Sequence, residues 1–325
     1  MPSSLKDKAV ALARDALSVS YHLFKVMIPV LIAVKILKEL GVIRYLAIPL
    51  EPAMAWVGLP AQMGLVWATA LLNNIYSAMV VLLTLVDDTP LTTAQATVLG
   101  TMILVAHNLP VELKIAQNSG PRLLFQGVAR IGAALFIGWV LHRVYSGLDL
   151  YQEPVRILMS PEAGVRPGGE TITTWAVSQA KNLASIFGII VVLLLLMRAM
   201  ERLRVTQLMD RLLRPLLRLM GIGPKASTIA IIGVTLGIAY GGGLIIREAR
   251  SGRIDKRDVF YALTLMGLVH SLFEDTLLMV MMGGHLSGLL WARSAMAVIA
   301  VFLLVRLTAR LPAAFCDRWL WGDPR

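Results

Sequence analysis

His107-Asn108-Leu109-Pro110-Val111-Glu112 and His270-Ser271-Leu272-Phe273-Glu274-Asp275 each interrupt an apolar run, and they stand 163 residues apart. Ionisable groups at membrane depth cost roughly 2.5–3.5 kcal/mol each on insertion scales, so they face a partner or a wet cavity. Sliding the chain by the same 163 residues lays Leu50, Pro52 and Gly58 on Leu213, Pro215 and Gly221. Further on it lays Ile75 on Ile238, His107 on His270, Leu109 on Leu272, Glu112 on Asp275 and Gly120 on Gly283. One offset that catches the rare residues Pro and His along 50–120 reads as an internal duplication.

The solvent for most of the chain is lipid. Hydrophobic residues make up 57% and charged residues 16%, with mean hydropathy +0.71, against about 25% charged residues in soluble domains. Apolar runs at 133–141, 184–197 and 295–305, with their flanks, approach the roughly 20 residues that a span needs. The net charge of +11 sits beside those runs, where anionic lipid accounts for it, so nucleic acid is set aside as a partner. The single cysteine, Cys316, excludes an internal disulfide and a CxxC pair. Residues 1–20 carry Lys6, Asp7, Lys8, Arg14 and Asp15 without a signal-peptide core and read as an amphipathic interfacial segment.

Each presumed copy has the same pieces: a first span (20–42; 182–200), an amphipathic stretch (44–57; 202–219), an interrupted apolar segment (61–86; 226–249), the histidine break and a last span. The interruptions are Asn73-Asn74-Ile75-Tyr76-Ser77 and Gly237-Ile238-Ala239-Tyr240-Gly241-Gly242-Gly243. If these segments cross the membrane, the 31 Lys and Arg divide 17 to 14 between the sides; if they enter and return as hairpins, 23 to 8. The positive-inside bias selects the hairpins, with both termini cytoplasmic and Asp87-Asp88 outside. Three crossings per copy then invert the copies relative to each other, a pattern that points to a transporter's binding site.

The order of span, re-entrant hairpin, broken helix and span, given twice, resembles the nucleoside-recognition or Gate-domain family, related to concentrative nucleoside transporters and to the membrane part of ferrous-iron permeases. The resemblance is carried by 73–77, by 237–243 and above all by 270–276, and it covers nearly the whole chain. It implies an all-α integral membrane protein of an inner cell membrane, with an inverted-repeat, transporter-like fold, two re-entrant hairpins and two broken helices. It also implies a possible homo-oligomer or a second Gate-domain subunit as partner. The GxxxxGK-Ser/Thr phosphate loop of an iron permease is absent.

The expected organisation is 1–20 interfacial, 21–145 first repeat, 146–180 polar linker, 181–312 second repeat and 313–325 tail. His107, Glu112, His270, Glu274 and Asp275 are candidate ligands for a coupling ion or a substrate. The carboxylates Glu112, Glu274 and Asp275 suit H⁺ or Na⁺, and a metal, if any, would fall to His107, His270 and Glu274. On a continuous helix His270 and Glu274 would share one face. The structural alternative is a lock in which each histidine bonds a carbonyl at a hairpin tip. Asn73, Asn74, Tyr76, Ser77, Asn108, Tyr240, Gly241 and Ser271 offer donors, acceptors or close backbone approach to a polar solute, or else plain turn chemistry. Met279, Met281 and Met282 read as core packing. The expectation is a secondary transporter for a small polar or ionic solute, with a non-transporting scaffold and a divalent metal permease as alternatives. No cofactor is called for, and Ser271 beside His270 is too weak a pairing to suggest an enzyme.

Overall fold

The computed structural model describes residues 5–158 and 171–324. Two series of helices follow one another. The first is α1 (Leu5–Glu39), α2 (Ile43–Ala47), α3 (Glu51–Trp56), α4 (Met63–Leu72), α5 (Ile75–Leu85), α6 (Thr93–Val105), α7 (Leu109–Asn118) and α8 (Leu123–Gly147). The second is α9 (Ile172–Arg202), α10 (Val205–Leu219), α11 (Pro224–Leu236), α12 (Ile238–Arg250), α13 (Lys256–Leu268), α14 (Glu274–Met281), a π-helical turn (Ser287–Ala292), α15 (Arg293–Thr308) and α16 (Ala313–Trp319).

The offset of 163 reappears in the backbone. It carries the bounds of α6 onto those of α13 and the start of α5 onto the start of α12. It also carries the left-handed residues Gly41, Gly58, Asn108 and Gly120 onto Arg204, Gly221, Ser271 and Gly283, all with positive φ. L-residues avoid that region because Cβ crowds the carbonyl, so Asn108 (φ 48°) and Ser271 (φ 44°) mark matched sharp turns. The residues that end α6 and α13 also match: Ala106 at φ −138°, ψ 94° and Val269 at φ −144°, ψ 101°.

Among the described residues, five helical stretches are long and apolar enough to cross a membrane: Val10–Glu39, Thr93–Asn118, Leu123–Gly147, Ile172–Met200 and Ser287–Thr308. The sixth expected crossing falls on α13 and α14, which are 13 and 8 residues long and separated by non-helical backbone. On the outer helices large apolar side chains face outward, Ile172 at 78% exposure and Trp291 at 69%, as lipid-facing residues do. Helix α1 runs without a break at residue 20, so the interfacial segment expected at 1–20 continues directly into the first span. Residues 159–170 of the expected linker, 146–180, lie outside the described residues.

Helix α9 packs along α1, and Arg198 Nη2 meets Asp15 Oδ2 at 2.5 Å. At the other end Lys35 pairs with Glu39 at 3.0 Å, and Lys38 reaches Asp88 at 2.5 Å and the Thr84 carbonyl at 3.2 Å. Lys35 and Lys38 of the first span thus meet acids and a carbonyl. Met279 and Met282 are buried in the core. The expected tail is in fact docked. Arg122 N–H donates to the Leu320 carbonyl at 2.8 Å and Gly322 N–H to that of Gly120 at 3.0 Å, while Lys256 Nζ meets Asp317 Oδ1 at 2.7 Å. That hydrogen bond holds the exposed Asp317 carboxyl below, and the Lys256 amine above, their ordinary ranges.

Candidate functional site

The site forms where the two broken helices meet. At residue 106 the chain turns out of α6, so the His107 N–H no longer reaches the carbonyl of Ile103 four residues back. The imidazole replaces it: His107 Nδ1 donates to Ile103 O at 2.9 Å, and His270 Nδ1 to Met266 O at 2.8 Å. Each histidine therefore caps the helix it ends and does not bond a hairpin tip as the structural alternative had it. Because the backbone is extended at 269 and left-handed at 271, His270 and Glu274 lie on either side of the break, and the shared helix face expected of them does not exist.

With Nδ1 committed, the two Nε2 atoms face each other at 3.2 Å, ring centroids 4.9 Å apart. Glu112, in the first turn of α7, places Oε1 3.4 Å from His270 Nε2 and 3.6 Å from His107 Nε2. Asp275, in the first turn of α14, lies 3.9 Å from His107 Nε2. Both acids gain from the free N–H groups and partial positive charge of a helix N-terminus. His107, Glu112 and His270 are 6%, 5% and 2% exposed, so the cluster is closed to solvent.

Two arginines absent from the sequence expectations complete it. Arg130 of α8 binds Glu112 Oε2 through Nη1, donates from Nε to Val105 O at 3.0 Å and from Nη2 to His107 O at 3.2 Å. One guanidinium thus neutralises the acid and satisfies two carbonyls that the break exposes. Arg293 stands 163 residues later, directly after the π-helical turn, and is fully buried. It donates from Nη2 to Thr276 Oγ1 at 3.3 Å, while Nε and Nη1 have no hydrogen-bond partner among the described residues. The sequence carried a signal for both: a lone charge in each apolar run, superposed by the offset already found.

The other candidates divide. Tyr76 hydrogen-bonds Glu274, joining the start of α5 to α14. Asn74 Oδ1 accepts from Ser77 N at 2.9 Å, Asn73 Nδ2 donates to Ser77 Oγ at 2.9 Å, and Asn74 Nδ2 donates to Asn73 Oδ1 at 3.1 Å. That set caps α5 and satisfies itself, which is turn chemistry. Asn108 N–H donates to Ala70 O at 2.8 Å and Leu272 N–H to Val234 O at 2.9 Å, so each break is tied to the hairpin helix before it. Ser271 presses on the second hairpin's turn, where a Cβ on Gly237 would lie 2.4 Å from its Oγ. Gly242 lets α12 pack closely on Ile115 of α7. Tyr240 and Gly241 belong to α12, and their surroundings lie outside the described residues.

No family model matches the chain. No solved structure matches it either. The chain is similar to the uncharacterized membrane protein YvoD of Bacillus subtilis (strain 168), with 25% identity over 283 residues, covering 86% of this chain and 88% of that protein. The likeness and the five apolar helices together make this chain an integral membrane protein.

Proposed function

We propose that the chain is a secondary transporter of a small polar or ionic solute, an inverted repeat that works by alternating access at the paired histidine breaks. One observation carries the reading: arginines equivalent by the offset stand at the two breaks, yet only Arg130 is fully engaged, while Arg293 makes one hydrogen bond, to Thr276. Arg130 closes its break through Glu112 and two carbonyls, whereas Arg293 has two buried nitrogens without a hydrogen-bond partner among the described residues. An unpaired buried donor costs about 1–3 kcal/mol, and that cost is relieved if the halves exchange arrangements, Arg293 engaging as Arg130 lets go. Two states related by such an exchange have similar energies, as alternating access requires.

The hairpins support the same reading. Helices α4 and α5, of 10 and 11 residues, span about 15 Å each, half of a hydrocarbon core of about 30 Å. They pack on each other, and Lys38 at the end of α1 meets Asp88 just after α5, so a hairpin that enters and leaves on one side fits. Membership of a Gate-domain family and placement in an inner cell membrane with both termini cytoplasmic belong to this proposal.

The test is a thermal-shift screen of purified wild type and His270→Ala against nucleosides, nucleobases, small organic anions and divalent metals, followed by uptake into proteoliposomes. A compound that raises the melting temperature of wild type alone, by RT ln(1 + [L]/Kd) in stability, and then accumulates in wild-type vesicles alone is the expected outcome. A normally folded variant beside a wild type that nothing stabilises would move the chain to the scaffold reading.

A further inference from the structure

We propose that His107 Nε2, His270 Nε2 and Glu112 Oε1 form a binding site for a divalent transition-metal cation, with Asp275 as a fourth ligand. What the ion does there, as cargo or as coupling ion, rests on the transport reading; the binding rests on geometry alone.

Both Nδ1 atoms face carbonyl oxygens, which only accept, so each Nδ1 carries its hydrogen. In the neutral imidazole the remaining nitrogen is then a bare lone pair. Two such lone pairs aimed at each other across 3.2 Å repel unless a shared proton or a metal cation lies between them. The Nδ1–H to carbonyl bond is also the arrangement that orients histidine ligands in metal sites.

The distances select the kind of cation. His107 Nε2, His270 Nε2 and Glu112 Oε1 form a triangle with edges of 3.2, 3.4 and 3.6 Å. A point equidistant from the three lies about 2.0 Å from each, the metal–ligand distance of Zn²⁺ with imidazole and carboxylate. The Nε2 atoms and an Asp275 oxygen also lie within 4.8 Å of one another, leaving Asp275 a short approach. Ca²⁺ takes six to eight oxygens at 2.3–2.6 Å, whereas two imidazoles and carboxylates suit Zn²⁺, Fe²⁺ or Mn²⁺. Arg130 occupies Glu112 Oε2 and fixes Oε1 toward the imidazoles. Its positive charge weakens cation binding, as befits an ion that must also leave.

The test is a titration of detergent-purified full-length protein with Co²⁺, followed by its visible d–d absorption, with Zn²⁺ competition by calorimetry. Wild type should bind one ion per chain. His270→Gln should lose at least a hundredfold in affinity, and His285→Gln, away from the cluster, should keep it. His270→Cys in a Cys316→Ser chain supplies a readout independent of affinity: a thiolate-to-Co²⁺ charge-transfer band then arises only if residue 270 is a ligand. Absence of saturable Co²⁺ binding to wild type would overturn the proposal and leave the pair sharing one proton. Unchanged binding in His270→Gln, or a bound Co²⁺ without the charge-transfer band in His270→Cys, would overturn it by placing the ion elsewhere. Co²⁺ bound but not carried into vesicles would count against transport and leave this site standing; uptake of another solute by a chain that binds no Co²⁺ would do the reverse.

Discussion

Arg130 and Glu112 are each about 95% buried or more, so removing one leaves the other as an uncompensated charge, at a cost of about 3–5 kcal/mol. Arg130→Gln is therefore expected to lower the melting temperature sharply, and Arg130→Gln with Glu112→Gln to recover part of the loss. Among the described residues Arg293→Gln removes one hydrogen bond, to Thr276, and should cost less stability than Arg130→Gln, yet abolish turnover. The buried Cys316, 2% exposed, provides the measurement, since a thiol-reactive dye reaches it only as the chain unfolds. Equal losses of stability in Arg130→Gln and Arg293→Gln would contradict the asymmetry. The histidines and acids of this cluster were legible in the sequence because polar residues stand out against apolar runs. The arginines were passed over although each is a lone charge within an apolar run, because a single arginine near the end of a span also serves as a topological charge.

Each break is hydrogen-bonded to the first helix of the helix pair that precedes it, Asn108 to Ala70 of α4 and Leu272 to Val234 of α11. Gly237, at φ 92°, lies where a Cβ would come within 2.4 Å of the Ser271 hydroxyl. Gly237→Ala is expected to cost about 1–3 kcal/mol from overpacking, with backbone strain in addition. Pairing it with Ser271→Gly should return the overpacking part, while Ser271→Gly alone should be neutral or stabilising; comparing the three melting temperatures checks this. The sequence marked the first interruption at Asn73-Asn74 and the second at Gly237, but Gly241-Gly242-Gly243, expected at the second tip, lie inside α12. It did not reveal that Asn73, Asn74 and Ser77 satisfy one another, because residue type gives donors and acceptors but not whom they face.

Across the molecule, one offset of 163 links the histidines, the acids, the arginines and four left-handed turns. The all-helical membrane architecture was legible from composition and apolar runs. The docking of 313–325 was not, since its contacts to Gly120, Arg122 and Lys256 join residues nearly 200 or some 60 positions apart, and no local pattern records such pairings. The number of crossings also depends on how a break is read: α6 and α7 together are long enough to span, while α13 and α14 are separated by a longer irregular stretch. The central claim is that matched positions at the two breaks open toward opposite faces of the membrane. Its most direct test places Asn108→Cys or Ser271→Cys in a Cys316→Ser chain, reconstituted with one orientation, and applies a membrane-impermeant thiol reagent from each side. The account predicts that Asn108→Cys reacts from one side and Ser271→Cys from the other; reaction of both from the same side would contradict it.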